Sequence, residues 1–147
     1  MNKKLMFLLV MIILVLSNCA KKALSEEEFI SRLSANGFEL EKIELADKTN
    51  LSHVLIARKD DYQFEFGVAD DIDKANYLFN SQKRIIEDNK GNVNTVSSKS
   101  MRNYSKYSQT SNGMYRVVSR IDNTMLYVEA SDSRKKEIDG FLKTIDY

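Results

Sequence analysis

Hydrophobic and polar positions change rhythm several times along the chain, and each change marks an element. Leu5 to Leu16 is an unbroken apolar run of twelve residues behind Lys3 and Lys4. A membrane-spanning helix needs about 20 such residues, so the run is short for a span and right for the apolar region of an export signal. Ala20 to Leu24 forms a short tether before Ser25-Glu26-Glu27-Glu28. Ser25 reads as an N-cap and Glu28 as its partner in a capping box, with Leu24 and Phe29 as the flanking hydrophobic staple. Three glutamates in the first turn suit the positive end of the helix dipole. Phe29, Ile30 and Leu33 share one face, and Gly37 supplies the stop.

Beyond Gly37 the period falls to two. Phe38-Glu39-Leu40-Glu41 alternates, and Ile43 with Leu45 resumes on a shifted phase, which predicts a bulge. His53 to Ala57 is a compact apolar run. Tyr62, Phe64, Phe66 and Val68 alternate with Gln63, Glu65 and Gly67 as in a half-buried strand, entered through a turn at Lys59-Asp60-Asp61. Helical spacing returns at Ile72, Ala75, Leu78, Phe79, Ile85 and Ile86 and ends at Asn89 to Gly91. Residues 92–101 are polar and read as a loop or an edge strand. Asn112-Gly113 predicts a type I′ hairpin between Tyr104–Gln109 and Met114–Ile121, and Asp122-Asn123 a second turn before Thr124–Ala130. Ile138, Phe141, Leu142 and Ile145 give the stripe of a final helix. The order is helix, strands, helix, strands, helix. It predicts one α+β domain over residues 25–147, an antiparallel sheet with about three helices packed on one face.

Composition narrows the function. The chain holds 147 residues, 43% hydrophobic and 29% charged, which excludes disordered and low-complexity architectures. A net charge of +1 is far from the basic footprint of a nucleic-acid binder. One Cys and one His exclude a disulfide framework and the usual zinc sites.

The Cys has a position that matters. Leu16-Ser17-Asn18-Cys19 closes the apolar run and resembles the lipobox of bacterial lipoproteins, with Leu three residues before the Cys and a small Ser two before it. The resemblance covers residues 1–19 alone, and Asn18 departs from the usual Gly, Ala or Ser. It implies a signal peptide over residues 1–18 and a mature chain that begins at a lipidated, palmitate-type Cys19. It also implies a place on the extracytoplasmic face of the cell membrane. Losing Lys3 and Lys4 from 22 basic residues leaves 20 against 21 acidic ones, so the mature chain is near neutral.

Catalytic chemistry finds little support. His53 opens an apolar run and reads as an edge or satisfied core residue. The lone Cys is committed to lipid, and no Gly-x-Ser-x-Gly elbow is present. Asp70-Asp71-Ile72-Asp73 looks like a metal loop, but an EF-hand counted from Asp71 puts Ala75, Asn76 and Gln82 at positions 5, 6 and 12. It reads instead as an N-cap with acids in the first helical turn. The five glycines form no phosphate cradle. The sequence therefore calls for no metal and no cofactor.

Charge is unevenly spread. From Asn89 to Ile121 lie Lys90, Lys99, Arg102, Lys106, Arg116 and Arg120 with no acid, while Asp60 to Asp73 carries six acids and no base. Lys99, Arg102, Lys106, Arg116 and Arg120 are candidates for an anionic surface such as headgroups or cell-wall polymer; the same pattern also suits a solvated sheet face, with Arg116 and Arg120 outward and Tyr115, Val117 and Ile121 inward. The expected function is a lipid-anchored, non-enzymatic binding or structural module whose partner is an envelope protein or anionic polymer. Two alternatives are an inhibitor or immunity-type protein with one tight protein partner, and a small hydrolase using carboxylates such as Glu65 with Asp61.

Overall fold

The computed structural model describes residues 20–45 and 50–147. The signal segment 1–18 and Cys19 lie outside the described residues. The order of elements is α1 (Glu26–Ala35), β1 (Glu39–Glu44), β2 (Leu51–Lys59), β3 (Tyr62–Ala69), α2 (Ile72–Asp88), β4 (Val93–Met101), β5 (Tyr104–Ser111), β6 (Met114–Ile121), β7 (Thr124–Ser131) and α3 (Lys135–Thr144), with a short 3₁₀ turn at Asp132–Arg134 before α3. All seven strands form one sheet in the order β1-β2-β3-β7-β6-β5-β4, antiparallel throughout. The chain thus lays down two meanders, carries α2 between them, and joins them where β3 pairs with β7. This is the α+β architecture that the alternating helical and two-residue periods foretold.

Local chemistry explains the elements. Ser25 accepts a hydrogen bond from the Glu28 N–H while the Glu28 side chain accepts from the Ser25 N–H, the reciprocal capping box. Gly37, at φ 79°, ends α1 in a Schellman turn, with Phe38 N–H donating to the Leu33 carbonyl. Asp146 takes the same role after α3 at φ 65°, and Tyr147 N–H donates to the Leu142 carbonyl. Asn112 and Gly113 both have positive φ, at 50° and 72°, as a type I′ turn demands. The segment expected as a loop or edge strand over 92–101 is an edge strand from Val93 to Met101, with Val93, Val96 and Met101 exposed. The phase shift expected in β1 is absent, since β1 pairs with β2 in unbroken register from Glu39↔Arg58 to Glu44↔His53. The irregularity sits in β2 instead, between Leu51 and Val54.

One expectation needs correction. The three helices do not share a face. α1 and α3 cover the side that carries Phe64, Phe66, Val117, Leu126 and Val128. α2 covers the other side, over Ala69, Val118, Met125 and Tyr107. Adjacent strand residues point to opposite faces, so β6 feeds Val117 to one core and Val118 to the other. The stripe of α2 is narrower than its apolar residues suggested: Ala75, Phe79 and Ile86 are buried, whereas Ile72 and Ile85 stand exposed.

Candidate functional site

The first described residues are bound into the fold rather than hanging from it. Lys21 N–H donates to Asn103 Oδ1 at 3.3 Å, and Asn103 Nδ2 donates back to the Lys21 carbonyl at 2.7 Å. The amide of one turn residue thus pairs with the tether as a strand would. The same Nδ2 lies 3.2 Å from Asp122 Oδ2 in the next turn. The Lys21 ammonium donates to the Asp146 carbonyl and stands 4.3 Å from the Tyr104 ring centroid. Burial lowers the pKa of Lys21, with Asp146 opposing and Lys99 adding to the shift. Leu24 is buried in the main core, completing the staple with Phe29. Tyr147 closes this end. Its ring meets Phe66 edge-on at 6.4 Å and its hydroxyl bonds to that of Thr124, while burial pushes its pKa up to about 12.

Beside the tether opens a cleft of about 540 Å³ lined by Leu24, Glu26, His53, Val68, Asp70 and Thr124 among others. His53 Nε2 lies 2.7 Å from Glu26 Oε2, and Lys42 donates to the other oxygen at 3.2 Å. Burial alone would raise the Glu26 pKa; the hydrogen bonds from Lys42 and His53 outweigh it and hold the carboxylate low. The contact joins the start of α1 to β2, across 27 residues of chain, so no local spacing announces it. Asp71 caps α2 through the Lys74 N–H at 2.7 Å, and the Lys74 ammonium bonds to Asp70. Among the described residues no cluster of His, Cys, Asp and Glu is arranged to hold a metal.

Asp61 and Glu65 are held by different partners. Asp61 forms an ion pair with Arg134 at 2.9 Å in the β2–β3 turn, and Glu65 accepts from Gln63 Nε2 at 3.0 Å in mid-strand. On the α3 side, Asp139 accepts from Tyr115 at 2.6 Å and from Lys135. Burial raises its pKa, yet the bonds from Lys135 and Tyr115 win and keep it below the usual carboxylate range. That pair was not singled out in the sequence, because a strand tyrosine and a helix aspartate carry no shared pattern.

The five candidate cations do not form one surface. Lys99 and Lys106 face each other across β4 and β5 on the α1–α3 side. Lys106 is partly buried and donates to the Tyr147 main-chain oxygen. Burial, with Lys21, Lys135 and Lys143 nearby, lowers its pKa against the pull of Asp139. Arg102 stands exposed in the β4–β5 turn. Arg116 and Arg120 point to the opposite face, as β6 alternation requires, but not into open solvent. Arg116 pairs with Glu129 at 3.0 Å, its side chain 15% exposed. Arg120 is 4% exposed, with Nη1 donating to the Asp122 carbonyl at 2.8 Å and Nε without a partner. What the fold does gather is a different pair, Lys21 and Lys99 at the Tyr104 ring, with Lys99 Nζ 6.0 Å from its centroid and Arg102 exposed in the adjoining turn. Lys21 was placed in the tether, and only the fold reveals that the tether docks beside this turn.

No protein-family model matches the chain, and no curated protein is significantly similar to it. One solved structure is similar in fold, a GTP binding regulator from Thermotoga maritima, with a TM-score of 0.50 and 19% identity over 84% of this chain and 86% of that one. At that identity the likeness speaks for the arrangement of helices and sheet alone.

Proposed function

We propose that the protein is a lipid-anchored, non-catalytic module of a bacterial cell envelope, held to the membrane through Cys19 and acting by binding or supporting another envelope component. The observation that carries this reading is the run from Lys3 to Cys19: two lysines, twelve apolar residues, then Leu-Ser-Asn-Cys. Among the described residues no helix is long and apolar enough to cross a membrane. The docked tether supports the reading too, because a fold that begins binding its own chain at Lys21 sits next to Cys19.

The side chains best suited to catalysis are engaged in contacts within the fold: His53 with Glu26, Asp61 with Arg134, Glu65 with Gln63. The test is Cys19→Ala in the producing bacterium. The wild-type chain takes up labelled fatty acid and fractionates with membranes; the variant loses the label and leaves the membrane. A variant that keeps both overturns the anchoring.

A further inference from the structure

We propose that the end of the sheet holding the tether, centred on the Arg102–Asn103 turn, is the surface that meets an anionic lipid bilayer. The proposal rests on the anchoring through Cys19. Its structural part is the two-way pairing between the Asn103 amide and the Lys21 main chain, which fixes the chain from Lys21 onward. Between Cys19 and Lys21 stands only Ala20. Two residue steps reach at most about 7 Å, so acyl chains on Cys19 bring the headgroups to the end of the fold that carries this turn.

The chemistry of the turn suits that neighbour. Lys21 and Lys99 stand at the Tyr104 ring, and Arg102, two residues before that tyrosine, is exposed in the turn. Met101, beside it, is 41% exposed, an apolar side chain poised at the level of the headgroups. Basic residues close to an anionic leaflet are drawn to it.

Acids also occupy this end, and they set the tilt. Glu26 is bound by Lys42 and His53, Asp70 by Lys74, Asp122 faces the Asn103 amide, and Asp146 stands beside Lys21. Glu27, Asp71 and Asp73 remain exposed at the starts of α1 and α2. The domain therefore leans on the β4–β5 corner and lifts the α2 start away from the anionic surface.

The experiment uses the full chain, made in a host that processes lipoproteins and reconstituted in vesicles of phosphatidylcholine and phosphatidylglycerol. A fluorophore is attached at Ser100→Cys, near the turn, at Asp73→Cys, at the α2 start, or at Ser133→Cys, at the opposite end. Brominated lipids should quench position 100 several-fold more than 133, with 73 between them. Adding Lys99→Glu and Arg102→Glu should bring 100 and 73 together, and Asn103→Ala should shrink the contrast between 100 and 133. A mature chain without acyl mass on Cys19 overturns the anchoring and the proposal with it. An acylated, vesicle-bound chain with 100 and 133 equally quenched overturns the orientation alone. A charge reversal that changes nothing overturns the role of the cations.

Discussion

Arg120 shows what a single side chain reveals only once folded. Its place in an alternating strand predicts a solvated cation, yet it is 4% exposed beneath the second core layer with Nε lacking a partner. Burial lowers its pKa, with Asp122 pulling the other way. A buried donor without a partner costs about 1–3 kcal/mol, so an apolar side chain of similar length should be tolerated there. Arg120→Met is expected to change stability by less than about 1 kcal/mol in either direction, as read from urea unfolding. Arg120→Glu should lose about 2 kcal/mol or more, because a buried carboxylate would face the Asp122 carbonyl. Equal losses in both variants would show that the guanidinium is bound more favourably than its contacts indicate. The alternation of β6 was legible in the sequence; the depth of its outer face was not, since that depends on α2 lying across it.

Among elements, α1 was the most readable and β1 the least. Capping box, staple and stop residue of α1 are all written within a dozen residues, and each forms as its local chemistry dictates. β1 is exposed along most of its length, and its apolar residues therefore gave a poor measure of its phase. β3 carries the strongest strand pattern, and its burial alternates from Tyr62 to Phe66 before Gly67 and Ala69 are buried as well, where α2 covers the second face. Phe66 is 1% exposed and stacks on Phe29 of α1 with ring centroids 4.3 Å apart. Phe66→Ala is expected to lose about 3–5 kcal/mol, the cost of a large cavity plus the lost aromatic contact. Thermal melting checks it, and a loss below about 1 kcal/mol would detach α1 from the core as drawn. Which face each helix covers was beyond the sequence, because the stripe on α2 says that it packs without saying on which side.

For the molecule as a whole, the tether belongs to the fold. Leu24 is 5% exposed, and Lys21 binds both Asn103 and Asp146. A soluble chain beginning at Ser25 should be less stable than one beginning at Ala20 by about 2–4 kcal/mol, from lost Leu24 burial and lost main-chain bonds. Chemical denaturation of the two chains measures the difference; identical midpoints would mean that residues 20–24 contribute nothing. The sequence separated tether from domain at Ser25 because helix caps are visible and dockings are not. Asn103 carries no mark that distinguishes it from any other turn asparagine.

The seam between β3 and β7 sets when folding can finish. Gln63 pairs with Glu129 and Val68 with Thr124, so the two meanders meet only through partners far apart along the chain. Each meander can assemble from near neighbours in sequence, but closing so long a loop carries an entropic cost before any seam contact repays it. Tyr147 sits against Phe66, so the main core also waits for the last residues. A chain emerging with its N-terminus first cannot complete its interior until nearly all of it has emerged: α1 can cover Phe66 early, but Phe64 waits for Phe141 and the edge of Phe66 for Tyr147.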